Sequence, residues 1–484
     1  MPATARATAT KTTLPIYQQL AGVLEEMIQS KSLRPGDRMP SVRQFSRQQG
    51  VSIPTAMSAY ASLETRGLIE ARPKSGFFVR LRESDLVRNP WSQSKISKIT
   101  DFANLDPLHS IMADHSNPKF VPLGAGLPSA SLLPGLKLAR LMGSIARRLP
   151  SAGLDYDIAP GSEMLRRELA RRSLDWGCHL KAEDFIITNG GTEAVSLALR
   201  AVTEPGDTVI VETPTYFGFS NILRELRLKA LPIPIDATTG IDIDALGTAL
   251  KTNRVAAAIL IPNFHNPMGC LMPDDHKKEV ATLLAEQGIP IIEDDIYGDL
   301  RHSGARPRCL KAFDPDGSVL LCSTFSKVLA PGYRVGYIAP GRYRDRIHKL
   351  KDTSTMANAT LPTLAVAEFV KHGGYDRHLR HLQHAFSHQV QRMREAIVQT
   401  FPENIGLSRP QGNFLLWCEL PKQVDSLELF KRARAANISV APGPLFSSDG
   451  GYKNFIRINC GHPWTPTIER SIGILGHLVH QLAR

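Results

Sequence analysis

The sequence predicts an α/β chain in two parts, a small basic module dense in helix patterns and a large domain around a mostly parallel sheet. Two observations carry this. Beyond about residue 120, short apolar runs at 185–188, 209–212, 256–262, 290–293 and 319–322 alternate with helical patterns to the end of the chain. Each run is bounded by turn residues and followed by a loop or helix, the pattern of parallel strands joined by crossovers. The second observation is charge. The formal net charge of +12 is uneven: residues 1–80 hold eleven Lys and Arg against five Asp and Glu. One sixth of the chain therefore bears half of the excess, which fits a polyanionic partner such as nucleic acid or a solvated basic surface.

Composition excludes several classes. At roughly 100–200 residues per domain, 484 residues make two to four domains with a sizeable core. The 36 glycines and 34 prolines are near average abundance, so collagen-like and low-complexity chains are out. The longest apolar runs fall far short of the ~20 residues that span a bilayer. The first residues, MPATARATATKTT, are basic but lack the apolar stretch of a secretory signal. Six cysteines (178, 270, 309, 322, 418, 460) are scattered with no C-x-x-C pair, which suits a reduced cytosol and no zinc or disulfide scaffold. The expectation is a soluble, cytoplasmic protein without a membrane segment.

In the small module, residues 16–29 place Leu20, Val23, Leu24, Met27 and Ile28 at helical spacing. A sharp turn, Arg34-Pro35-Gly36-Asp37-Arg38, follows. Ser41 is placed to cap a short helix ending at Gly50, and Ser52 to cap a second, over about 53–66, with Ala56, Tyr60 and Leu63 inward. Two helices with a glycine-bearing turn make a helix-turn-helix, whose second helix suits a major groove. Residues 68–70 and 76–79 read as strands joined by Ala71-Arg72-Pro73-Lys74-Ser75, a basic-tipped β-wing.

This module, residues 14–80, resembles the winged-helix DNA-binding domain of the GntR superfamily. The resemblance implies contacts to double-stranded DNA from Arg43, Ser52, Thr55, Ser75 and Gly76, and a phosphate contact from Arg38. Relatives often carry arginine where this chain has Ile53, which moves base preference towards apolar contact, the wing or DNA shape. A helical dimerisation module without DNA is the alternative. Residues 81–120 are polar and poorly periodic and read as a linker.

Four constellations mark residues 121–484. Thr188-Asn189-Gly190-Gly191-Thr192-Glu193 follows a strand and opens a helix, where backbone N–H groups can approach a phosphate. Glycine there also serves ordinary strand-to-helix packing. Asn263-Phe264-His265-Asn266-Pro267-Met268-Gly269 lies past the next strand, and Glu293-Asp294-Asp295-Ile296-Tyr297 ends another. Acidic residues at strand C-termini serve sites in open α/β sheets, or are simply solvated. The fourth runs from Ser323 to Gly336. There Lys327 sits among small hydroxyls seven residues before Arg334, an amine for a Schiff base and a clamp for a phosphate.

In this order the four resemble the aspartate aminotransferase superfamily, fold type I of the pyridoxal 5′-phosphate enzymes. The resemblance implies that Lys327 carries the cofactor as a Schiff base and that Asp294 pairs with the pyridine nitrogen. It places Tyr297 and Asn266 on the 3′-oxygen and stacks Tyr216 on the ring. Gly191, Thr192, Thr324, Ser326 and Arg334 would hold the phosphate, with Tyr156 supplied to the neighbouring subunit's phosphate in a homodimer. Arg457 would clasp an α-carboxylate, and Gly126 lies in the segment that closes over substrate. Met268 stands where many relatives have threonine, but Asn266 is retained. His378, His381, His384 and His388 share a helix face but lack acidic or cysteine partners, so the face reads as solvated surface and no metal site is expected.

A winged helix joined to an aminotransferase-like domain resembles the MocR-type regulators. That resemblance implies a transcriptional regulator whose large domain binds pyridoxal phosphate and senses an amino acid or amine. An active aminotransferase with a regulatory DNA-binding module is the runner-up, and a DNA-binding protein using the cofactor structurally is the third reading. DNA affinity should fall steeply with salt, roughly a thousandfold between about 50 and about 200 mM if six or more phosphates are neutralised. Arg43→Ala should weaken binding and leave the cofactor's absorption unchanged. Fluorescence anisotropy across a salt series checks this, and a flat dependence would exclude DNA as the partner.

Overall fold

The computed structural model describes residues 15–30, 32–33, 36–66, 68–72, 75–79, 88–90, 99, 106–372 and 374–484. Two compact units emerge, one of Met1–Val87 with Glu395–Gln399 and one of Arg88–Arg394 with Thr400–Arg484. Among the described residues no helix is long and apolar enough to cross a membrane.

The first unit contains helices α1 (Ile16–Gln29), α2 (Val42–Gln49) and α3 (Ile53–Thr65) and a hairpin of β1 (Ile69–Arg72) and β2 (Gly76–Val79). The expected caps form. Ser41 Oγ accepts from Gln44 N and Ser52 Oγ from Thr55 N, each at 3.2 Å. Gly50 ends α2 at φ 63°, where a side chain would be strained. Ala56, Tyr60 and Leu63 are buried as expected, and the Tyr60 hydroxyl donates to Pro40 O at 2.7 Å. Of the five apolar residues at helical spacing in α1, Val23 and Met27 face solvent, and the inner stripe is Leu20, Ala21, Leu24 and Ile28. Ala21 is apolar but small, so it adds little to the apolar pattern while packing into the core. Parts of the 34–38 turn and the wing tip at Pro73 and Lys74 lie outside the described residues.

The second unit is built on an eight-stranded sheet. Its order is Ile186–Thr188, Gly336–Ala339, Val319–Thr324, Ile291–Asp294, Ala257–Leu260, Thr208–Thr213, Lys229–Asp236 and Gly240–Ile241. Strand pairs are parallel except around Gly336–Ala339 and at the Gly240–Ile241 edge. All five strands read from the sequence are present within two residues of their expected ends. Lys229–Asp236 was not anticipated because Pro232 and Pro234 interrupt its pattern. It tolerates them because Thr208–Thr213 pairs along one side while only Ile235 and Asp236 have partners on the other. A second sheet, ordered Gly406–Leu407, Leu415–Glu419, Phe455–Asn459 and Ala441–Pro442, carries the C-terminal part of the chain.

The segment read as linker holds more structure than its polarity suggested. Helix α4 (Asp106–Ser116) buries Ile111 and Asp114, and Asp114 makes a two-point ion pair with Arg434 at 2.8 and 2.9 Å. Arg88 pairs with Glu419 in the same way at 2.6 and 2.7 Å. These contacts span more than three hundred residues, so no local periodicity could announce them. The rest of 81–105 lies outside the described residues except 88–90 and 99.

A candidate cofactor site at the strand ends

The site begins with three consecutive acids. Strand Ile291–Asp294 is buried throughout, and Glu293, Asp294 and Asp295 are each at most 4% exposed. Alternation along a strand sends Glu293 and Asp295 to one side and Asp294 to the other. Glu293 accepts the backbone N–H groups of Leu310 and Lys311 at 2.6 and 2.8 Å. Asp295 is held by Arg306 and by Asn263 Nδ2, the latter at 2.9 Å. Asp294 differs: its Oδ1 is buried without a hydrogen-bond partner and lines a cavity of about 470 Å³. Burial and the charge of Asp295 push its carboxyl up to about 7, against a downward pull from Lys327.

Gly191, Thr192, Tyr216, Asp294, Thr324, Ser326, Lys327 and Arg334 line that one cavity. Its anion-holding corner is built from local chain geometry. Gly190, at φ 83°, turns the chain into helix Gly191–Val202, and a Cβ there would collide with the Arg334 guanidinium. Arg334 is itself left-handed (φ 53°), which lets it donate to Asn189 O at 3.2 Å and approach Ser326 Oγ at 3.5 Å. Thr324 and Ser326 hydroxyls lie 2.9 Å apart. A helix N-terminus, a guanidinium and two hydroxyls converge there, the groups that bind a phosphate.

A second cluster adjoins the first. Lys327 Nζ donates to Gly126 O at 2.8 Å. Arg457 Nη2 donates to Gly124 O at 2.6 Å and Nη1 to Asn266 Oδ1 at 3.1 Å. Arg457 is 1% exposed, its guanidinium set over the rings of Phe446 at 4.9 Å and Phe217 at 5.5 Å. Burial lowers Arg457 to about 10 and Lys327 to about 8, with Arg457 adding to the drop at Lys327. An amine titrating near 8 is readily unprotonated, the form that attacks a carbonyl carbon. Tyr297 is buried beside Phe414, and its phenol is pushed up by that burial.

Tyr156 lies elsewhere, 75% exposed and outside the cavity of its own chain. In the first unit Arg38, Arg43, Ser52, Ser75 and Gly76 are exposed and Thr55 half-buried. Arg38 lies along the wing, its Nε 3.6 Å from where a Cβ on Gly76 would be. The sequence reading missed the cavity wall made by Leu108, His109 and Met112 of α4, together with Leu127, Phe217 and Asn221. Only the i, i+4 spacing of Leu108 and Met112 signalled it, too short a pattern to stand out. Of the four histidines, His378 is half-buried and bonds Val328 O at 2.7 Å, whereas His381, His384 and His388 are exposed.

Fold and site together define a helix-turn-helix module joined to an α/β domain with a lysine-bearing, phosphate-accepting pocket. Residues 16–79 match the bacterial regulatory proteins of the gntR family, and residues 152–470 match aminotransferase class I and II. The chain belongs to the HTH-type transcriptional regulators that combine these two domains. It is 39% identical to YjiR and 34% identical to YdcR of Escherichia coli K12, both described as uncharacterised HTH-type transcriptional regulators. Each alignment covers 96% of this chain and 99% of the relative. Among solved structures, α-aminoadipate aminotransferase LysN from Thermus thermophilus, complexed with N-(5′-phosphopyridoxyl)-L-leucine, matches with TM-score 0.72 and 27% identity. That match covers 78% of this chain and 95% of LysN. Kynurenine aminotransferase of Pyrococcus horikoshii, in complex with PMP, gives TM-score 0.73 and 26% identity over 79% of this chain and 96% of its own.

The cofactor is pyridoxal 5′-phosphate, and the pocket fits it. The orphaned Asp294 oxygen suits a protonated ring nitrogen, the Gly191 corner suits a phosphate, and Lys327 suits an aldehyde. The raised carboxyl of Asp294 has a pH consequence. In the cofactor-free fold it keeps its proton up to about pH 7, whereas an unfolded aspartate ionises near pH 4. The native state therefore binds the extra proton between these values and loses stability as pH rises through that window. Asp294→Asn should remove this loss, so that its stability advantage over the cofactor-free wild type grows by roughly 2–4 kcal/mol from about pH 4 to about pH 7 and then levels off. Denaturant melts across that range check it, and a pH-independent difference would refute the assignment.

Proposed function

We propose that this protein is a transcriptional regulator acting in the cytoplasm, of the MocR type, whose aminotransferase-like domain senses pyridoxal phosphate together with an amino acid or amine. The reading assigns residues 14–80 to DNA binding, 81–120 to the connection and 121–484 to sensing. One observation carries it. Lys327 and Arg457, the two cations expected to meet cofactor and ligand, both donate to carbonyls of the same strap, at Gly126 and Gly124. Ile111 of α4 packs on that strap, closely enough that a Cβ on Gly124 would lie 3.2 Å from its methyl. Helix α4 is in turn where the chain arrives from the DNA-binding module.

Pyridoxal phosphate supplies an aldehyde that condenses with amines and a ring that withdraws electrons. The chain's own residues do the rest. Asp294 would hold the proton of the ring nitrogen, Arg334 and the Gly191 helix end would hold the phosphate, Asn266 and Tyr297 would face the 3′-oxygen, and Tyr216 would stack on the ring. Engaging Lys327 with the cofactor takes its hydrogen bond from Gly126. A ligand carboxylate on Arg457 takes the bonds to Gly124 and Asn266. The strap and α4 thereby have two arrangements, and occupancy biases which one is populated.

A homodimer accompanies this reading. Leu136, Leu154, Tyr156 and Ile158 are 80%, 85%, 75% and 60% exposed, an apolar surface that a second copy would cover while receiving Tyr156 at its phosphate corner. Light scattering should return twice the chain mass, and Leu154→Asp should shift the protein towards monomer with weaker cofactor binding. A wild-type monomer with full cofactor occupancy would sink the dimer.

The decisive test of sensing is Lys327→Ala, titrated beside wild type with DNA selected by the wild type from a random library. Each titration is run with and without pyridoxal phosphate and a panel of amines. The variant should keep the DNA contacts of Arg43, Ser52 and Thr55 and lose the response to cofactor and amine. A wild-type-like response in the variant would overturn the sensor reading. Rapid transamination of 2-oxoglutarate by a wild type that shows no response at DNA would identify an aminotransferase instead.

A further inference from the structure

Of the six buried cysteines, two meet each other. Cys178 and Cys309, 131 residues apart in sequence, bring their Sγ atoms to 3.2 Å. No other sulfur among the described residues lies within hydrogen-bonding distance of a second one. The backbone already holds the pair in register, because Cys309 N donates to Trp176 O at 3.0 Å. The sulfurs need to approach by about 1 Å to reach S–S bonding distance. Access comes from one side. Cys309 is fully buried, whereas Cys178 is 5% exposed and lies in a surface turn between Gly177, at φ 79°, and the exposed His179.

We propose that Cys178 and Cys309 are a redox modification site, closing to an intramolecular disulfide on exposure to a hydroperoxide. The sulfur of Cys178 attacks a peroxide oxygen, the O–O bond breaks, and a sulfenic acid forms as water leaves. The sulfur of Cys309 then attacks that sulfur, the S–S bond forms, and hydroxide departs with the Cys309 proton as a second water. Two thiols and one hydrogen peroxide become one disulfide and two waters, the two electrons passing from sulfur to oxygen. The order follows from geometry and from the proton: the hydrogen bond to Cys178, with burial, keeps the Cys309 thiol protonated well above its ordinary range. Cys178, the more exposed sulfur in its surface turn, is reached first.

The bond would brace the wall behind the cofactor pocket. Cys309 leads into Leu310 and Lys311, whose N–H groups hold Glu293. Cys178 follows Trp176, whose indole stacks on Tyr337 of the sheet at 5.8 Å and lies under Arg306, the partner of Asp295. Oxidation links these two supports without touching Lys327 or Asp294.

The test treats reduced, cofactor-loaded protein with hydrogen peroxide, then alkylates it in denaturant and maps its peptides without reduction. Two of the six thiols should be lost, with one linked peptide pair containing Cys178 and Cys309, reversed by dithiothreitol. The melting temperature should rise by several degrees, and the cofactor's absorption should persist. Cys309→Ser should yield no linked pair and a dimedone adduct on Cys178 instead. Six alkylated thiols after treatment, or a link between any other pair, would overturn the proposal. The wild-type peptide map decides this even if the variant does not fold.

Discussion

The interaction on which the second unit depends is the handling of three adjacent buried carboxylates. Glu293, Asp294 and Asp295 end a strand with strands on both sides, where an uncompensated charge is costly. Strand alternation separates them. Glu293 accepts two backbone amides of the 310–313 turn, and Asp295 pairs with Arg306 and accepts from Asn263. These two fix the positions of the loops behind the sheet. Asp294, facing the other way, is left with an unsatisfied oxygen in a cavity. The fold keeps one buried acid unpaired at the place where a cationic ring nitrogen would complete it.

The same economy governs the cations. Lys327, half-buried, and Arg457, 1% exposed, both find carbonyls of the strap at 124–126. In the proposed sensing, an aldehyde or a carboxylate would take the place of those carbonyls. The strap is also anchored at both ends by Asn459, which donates to Leu123 O and Leu127 O, and Ile111 of α4 packs on it at Gly124.

The sequence by itself determined the parts whose physics is local. Caps at Ser41 and Ser52, the left-handed Gly50, the strand runs and the order of Gly191, Asn266, Asp294, Lys327 and Arg457 follow from turn chemistry, periodicity and motif, and all are visible in a single chain. Tertiary structure decided the rest, because it depended on contacts between residues far apart. Val23 and Met27 turned outward because α1 packs through Ala21. Two prolines sit in a strand because its outer side is nearly unpaired. Helix α4 became a pocket wall through Arg434 and Ile111, and two scattered cysteines became neighbours across 131 residues. Helical or strand propensity is written within a few residues, whereas burial, the orphaned oxygen of Asp294 and the meeting of Cys178 with Cys309 exist only once distant segments share a core.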